Sequence, residues 1–327
     1  MKSRIVLAAV ALLVLAPGAV LPSFAAETAK CDRRCLEDTA NRYLAALVAH
    51  DPTTLPQGEH VKYTENGDLT PFGTGVWKAA TEVGNYRIYA SDTEYEQIAY
   101  IGNIRIGKQW SMFALRLRVK DRRIVEAETI LPGVGASDAT YDLSAGASRV
   151  TTARAAFSTA LLPSERRDRS QIIGAADLHY EGIQRGNGDI VPFSDKCIKI
   201  ENGVQTILNP DLPSPGVSPS GKPVPNFSAM NCHDQFNTHI WETDTITDRR
   251  YPVVDEERGI VVAFSMYNEY SRGPCAEVVD YGTVCPKNFT HPFTLVIAEA
   301  FKVRAGRIEE VEAIFTPLST LRPRGVW

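Results

Sequence analysis

The chain has 327 residues, a formal net charge of −4 and a hydrophobic fraction of 44%. It contains no run of Lys and Arg, which excludes the dense positive face that displaces counterions from nucleic acid. That much apolar sequence supports a substantial core, most naturally divided between two domains.

Residues 1–25 open with Lys2 and Arg4, continue as an apolar run from Ile5 to Ala16, break at Pro17-Gly18 and end in small residues around Ser23-Phe24-Ala25. This is the three-part layout of a secretory signal. The apolar run is too short to cross a hydrocarbon core of roughly 30 Å. A secreted or periplasmic protein is expected, with no membrane attachment after cleavage. Loss of Lys2 and Arg4 takes the net charge from −4 to −6.

Residues 26–131 read as a first α+β domain. A helix places Leu36, Ala40, Tyr43, Leu44, Leu47 and Val48 on one face. Alternating strands follow, and the last two (Met112 to Val119, Arg123 to Ile130) are joined by the short charged turn Lys120-Asp121-Arg122, as an antiparallel hairpin requires. Residues 132–148, rich in Gly, Ala and Ser, read as a linker. Residues 149–327 form a second domain, whose helix carries Ile172, Ile173, Ala176, Leu178, His179 and Ile183. Ser164, before Glu165, reads as a helix N-cap.

Six cysteines in an oxidising compartment point to disulfides. The local spacings favour Cys31–Cys35, Cys197–Cys232 and Cys275–Cys285, the second closing a Pro-rich loop. A metal site built from Cys232, His233, Asp234 and Cys275 is the alternative; with no CxxC pair present, no metal is expected. Asn226 and Asn288 sit in glycosylation sequons, and no GxSxG, P-loop, GxGxxG or HExxH motif occurs.

Comparing the chain with itself reveals a repeat. Arg87 to Asp92, Gln97 to Gly102, Met112 to Val119 and Arg123 to Ile130 recur in order as Arg250 to Asp255, Ile260 to Phe264, Leu295 to Val303 and Arg307 to Ile314, with Glu126/Glu128 matching Glu310/Glu312. Two diverged copies of one unit are expected.

The helix ending Arg42-Tyr43-Leu44 through His50-Asp51, followed by Val61 to Gly67, resembles the opening of nuclear-transport-factor-2-like (SnoaL-like) domains. A closer resemblance is to a secreted, mainly fungal family of uncharacterised function, carried by Tyr63-Thr64-Glu65-Asn66, by Pro192 through Cys197 to Cys232, and by Arg249-Arg250-Tyr251 with Asp255-Glu256. The resemblance implies two tandem cone-shaped domains, each an N-terminal helix plus a curved antiparallel sheet, packed sheet to sheet as a monomeric pseudo-dimer or assembled as a homodimer. It does not specify the reaction, because this fold hosts isomerases, cyclases, dehydratases, lyases and binding modules.

Ketosteroid isomerase, of the same fold class, sets a helix-borne Tyr against an Asp base on the following strand. Overlaying that pattern nominates Tyr43 with Glu65 in the first unit and His179 with Asp195 in the second. Each pair joins a donor to a carboxylate whose pKa an apolar cone would raise, enough for isomerisation, dehydration or a lyase step without a cofactor. Tyr63, Arg250, Tyr251, His239 and Trp241 are candidate substrate contacts, Arg250 as a bidentate carboxylate clamp. The expected partner is a small apolar or aromatic molecule; the alternative is a non-catalytic binding or structural module of the cell envelope.

Overall fold

The computed structural model describes residues 30–132, 143–213, 216–271, 273, 275–286, 292–318, 320–322 and 325–327. The signal segment and the Asn288 sequon lie outside them.

Helix α1 (Arg33–Val48) starts where the Asp32 carboxylate accepts from the Cys35 N–H, an N-cap that satisfies one of the helix's orphan donors. The Cys31–Cys35 disulfide staples the same turn. Leu36, Ala40, Tyr43, Leu44 and Leu47 are buried along one stripe, as a 3.6-residue period dictates. Six strands follow: β1 (Gln57–Glu65), β2 (Asp68–Leu69), β3 (Ala80–Asp92), β4 (Gln97–Ile106), β5 (Gln109–Lys120) and β6 (Arg123–Ile130). They form one sheet in the order β2-β1-β6-β5-β4-β3.

Helices α2 (Leu143–Arg149) and α3 (Ala155–Ser158) follow. Part of the stretch expected as linker is thus helical, with Ala147 buried and the Asn103 amide donating to the Ala147 and Val150 carbonyls. Helix α4 (Arg169–Arg185) is capped by Asp168, in a reciprocal box with Gln171, so Ser164 is not its N-cap. It ends at Gly186 in the left-handed region (φ 54°), where a side chain would cost energy. Leu178, expected on the buried face, is 40% exposed.

The second sheet takes β7 (Phe193–Glu201), β8 (Val204–Gln205), β10 (Thr245–Asp255), β11 (Ile260–Glu269), β14 (Phe293–Arg304) and β15 (Arg307–Leu318), in the order β10-β11-β14-β15-β7-β8. Helix α5 (Cys232–Asn237) and a small sheet of β9 (Gly216–Val217), β12 (Ala276–Val278) and β13 (Gly282–Pro286) are additions to the second unit. The architecture is α+β, with two large curved sheets and a small third one.

Strand for strand, the second sheet repeats the first. Both are mixed rather than wholly antiparallel: β1 runs parallel to β6, and β7 parallel to β15. The physical reason is connectivity. The opening strand leaves the helix and lies beside the last strand of its own unit, so no hairpin forces the pair antiparallel.

Each sheet buries both faces. One faces the unit's own helix and makes that unit's core. The other contributes to a shared apolar core, where Ile88, Ile101 and Met112 of the first unit join Val262, Phe264 and Val296 of the second. Reciprocal ion pairs flank that contact. Arg33 of α1 grips Asp255 of β10 through two hydrogen bonds of 2.6 and 2.8 Å, while Arg169 of α4 reaches Asp92 of β3 at 2.7 Å. The Ser91 N–H donates to Asp255 and the Val254 N–H to Asp92. Corresponding residues exchange corresponding contacts, the signature of an isologous two-fold interface, here within one chain.

The glutamates shared by the two copies point into this interface. Glu128 accepts from Arg116 at 3.0 Å in its own unit and from Arg250 at 2.6 Å in the other. Glu312 is fully buried and, among the described residues, accepts only from the Tyr86 hydroxyl, at 2.9 Å.

All three disulfides, Cys31–Cys35, Cys197–Cys232 and Cys275–Cys285, are formed. Among the described residues, no helix is long and apolar enough to cross a membrane.

Candidate functional site

The ladders align the two units residue by residue. The N-caps Asp32 and Asp168 put His179 at the position of Tyr43 and Tyr180 at that of Leu44. Pairing with the final strand sets Thr64 against Glu128 and Ile200 against Glu312, so Lys199 matches Tyr63 and Glu201 matches Glu65. The hairpin pairs Tyr100↔Leu115 and Ala263↔Glu299 correspond as well. The sequence overlay of Glu65 on Asp195 is therefore corrected: it aligned the start of β7 with the end of β1.

In the first unit, Tyr43 and Glu65 do not form a donor–carboxylate pair. The Tyr43 hydroxyl accepts from Trp77 Nε1 at 3.1 Å, and the Tyr43, Tyr63, Phe72 and Trp77 rings pack edge to face. Glu65 is held by the Tyr63 hydroxyl and the Val76 N–H, each at 2.8 Å. Burial pushes both tyrosine hydroxyls up, away from ionisation. These are satisfied structural groups.

His179 and Asp195 do not meet either. His179 is fully buried among Tyr180, Phe193, Phe236 and Phe301, with neither ring nitrogen hydrogen-bonded, whereas Asp195 is exposed. Burial, aided by the nearby Lys199 charge, pushes the His179 pKa well down, so the ring is neutral.

The other expected contacts disperse. Arg250 clamps Glu128 rather than a ligand. His239 lies beside the end of α4, its ring against Gly186 and its Nδ1 at 2.8 Å from Glu242. Trp241 packs on the small satellite core with Phe227 and Val284. Tyr251 alone adjoins the second-unit core, its hydroxyl donating to Asp177 at 2.6 Å.

What the second unit does assemble on the helix-facing side of its sheet is a different set. Lys199 Nζ donates to Glu201 at 3.0 Å and stands 3.9 Å from Glu299. Glu299 is fully buried and accepts from the Tyr267 hydroxyl at 2.9 Å. Tyr180 lies against Glu299 and Ser265, yet Tyr180 Oη, Ser265 Oγ and Glu299 Oε1 have no hydrogen bond of acceptable geometry. Burial raises the Glu299 carboxyl above the usual range, against the opposing pull of Lys199 and Tyr267. Burial lowers Lys199, but Glu201 and Glu299 outweigh it and leave the ammonium's pKa raised.

A chain that buries a carboxyl, an ammonium and two phenols with orphaned atoms gives up stability that an apolar core would keep. The first unit makes the comparison within the same fold: Leu115 stands for Glu299, Tyr63 for Lys199, Leu44 for Tyr180 and Ile104 for Tyr267. The sequence carried a trace of the set: Glu299 is the only charge in the run Phe293–Phe301, and Lys199 follows Cys197 at the buried period of β7. Their meeting, a hundred residues apart, was not visible there.

Among the described residues, no group of three or more His, Cys, Asp or Glu is placed to hold a metal ion. No match to a curated protein was found. A family model described as "Domain of unknown function (DUF8021)" matches residues 165–315, a stretch running from just before α4 into β15 and containing the Lys199–Glu299 cluster.

Proposed function

We propose that the chain is an exported, tandem nuclear-transport-factor-2-like protein whose second cone is a cofactor-independent acid–base site of the isomerase, dehydratase or lyase type. One observation carries the reading: unsatisfied polar groups gather around Glu299 in the second unit, where the first unit closes the same positions with apolar or aromatic side chains. A carboxyl perturbed by burial and by a specific charge partner marks a candidate functional site. The three disulfides suit an oxidising compartment and support export.

In this reading Glu299 takes a proton from the carbon beside a carbonyl, and Tyr180 donates a hydrogen bond to the enolate oxygen that forms. The protonated carboxyl then returns the proton to another carbon or to a departing hydroxyl. Tyr267 orients the carboxyl, and Lys199 offsets the developing negative charge. The first unit serves as the structural half of an internal pseudo-dimer.

The second reading is a binding module without turnover. It draws on the aromatic enclosure of His179, which leaves no open acid–base pair at the position equivalent to Tyr43. Turnover of a small carbonyl-substrate panel, followed by proton exchange into deuterated water, separates the two. Glu299→Gln should lower the rate about 100-fold or more, with Asp195→Asn unchanged. Equal exchange by wild type and Glu299→Gln removes Glu299 from the chemistry.

A further inference from the structure

The unspent hydrogen-bonding capacity of the second cone specifies its ligand. Lys199 has three N–H donors and spends one on Glu201 at 3.0 Å. The Tyr180 hydroxyl is buried against Ser265 and Glu299 with no hydrogen bond of acceptable geometry, and a neutral His179 brings one more unpaired N–H. Among the buried atoms without a hydrogen bond, the acceptors are Glu299 Oε1, which faces Lys199 at 3.9 Å, and the bare nitrogen of His179. Once Glu299 is protonated, its Oε1 becomes a donor as well. The Tyr267 and Tyr251 hydroxyls are already committed to Glu299 and Asp177.

Donors grouped around a buried ammonium fit a ligand rich in oxygen acceptors. We propose that the second cone takes a small organic anion of the keto-acid or hydroxy-acid class, its carboxylate on Lys199 and its reacting oxygen on Tyr180. Glu201 is the partly exposed member of the set, its side chain 22% exposed, while that of Lys199 is nearly covered. The first cone keeps one unpartnered buried hydroxyl at these positions, Tyr100 Oη, and no ammonium, because Tyr63 replaces Lys199 and Tyr100 lies over Gly102, where the second unit has Ala263 and Ser265. This ligand class departs from the apolar or aromatic substrate expected from sequence, and it rests on the second cone being the working site.

The test uses the intact, disulfide-bonded protein with pyruvate, acetoacetate and 3-hydroxybutyrate, each beside its methyl ester, with affinity read by calorimetry and ligand-observed NMR. At least one acid should bind ten-fold or more tightly than its ester. Lys199→Met should abolish that preference and Lys199→Arg retain part of it. The acid–ester comparison needs no variant, so it decides even if Lys199→Met fails to fold. Esters binding as well as acids, or no acid binding, overturns the ligand class. An acid that binds through Lys199 but is exchanged equally by wild type and Glu299→Gln sustains the class and sinks the acid–base reading instead.

Discussion

Two buried glutamates at equivalent positions have been settled in opposite ways. Glu128 lies between the guanidinium groups of Arg116 and Arg250. Glu312 has only a phenol, and burial, eased by the Tyr86 hydrogen bond and reinforced by Glu310, pushes its pKa up to about 8. A carboxyl with a folded pKa above its unfolded value favours the fold while protonated. Its contribution is therefore full below about pH 4.5 and disappears as pH rises through about 8. Glu312→Gln should raise Tm by several degrees at pH 8.5 and change it little at pH 5; a uniform shift at both would show that the carboxyl does not titrate in this window. At Glu299 the expectation concerns function against stability. Glu299→Gln should leave Tm unchanged or raised, since Lys199 keeps its closer partner Glu201 at 3.0 Å and the amide escapes the desolvation that the carboxylate meets, and a Tm falling by ten degrees would recast Glu299 as a structural partner of Lys199.

At the scale of elements, the strands and helices follow their periodicities closely. The β6 and β15 strands begin at Arg123 and Arg307, where the repeat placed them, because a buried face at every second residue is written directly into the residue order. The Pro-rich segment is held by Cys197–Cys232, which span 35 positions. In the chain-entropy model, closing a loop of that length contributes about 4 kcal/mol. The Cys197→Ser/Cys232→Ser double variant should lose about that much in urea denaturation. A loss below about 1 kcal/mol would mean that the loop is organised by its own packing, such as the buried Phe227 and Ile240. The parallel pairing of β1 with β6 was not legible, because no local turn encodes it.

At the scale of the molecule, the isologous contact joins the two units through a shared core and reciprocal ion pairs. Asp92 and Asp255 are each 1% exposed and bound to a cation of the other unit. Removing one partner of a buried pair costs about 3–5 kcal/mol, so Arg33→Ala and Arg169→Ala should each destabilise by an amount approaching that range, discounted for the arginines' partial exposure. Calorimetry should show one transition in the wild type and a broadened or split one when both are replaced. A single sharp transition in the double variant would place the coupling in the apolar core instead.

The amino-acid sequence by itself determined the duplication, the helix stripes and most strands, and its spacings favoured the disulfide pairs that form, because periodicity and short spacings are local properties of a chain. It placed Tyr43 and His179 at equivalent positions but could not say that Trp77 would occupy the first or that four aromatic rings would enclose the second. Alternation marked Glu126, Glu128, Glu310 and Glu312 as sharing a face without naming what lay opposite, and only packing of sheet on sheet made it the interface. The Lys199–Glu299 cluster is likewise a tertiary product. Its members sit on α4, β7, β11 and β14, and the register of those strands, set by the whole hydrophobic face, alone brings their polar atoms within reach.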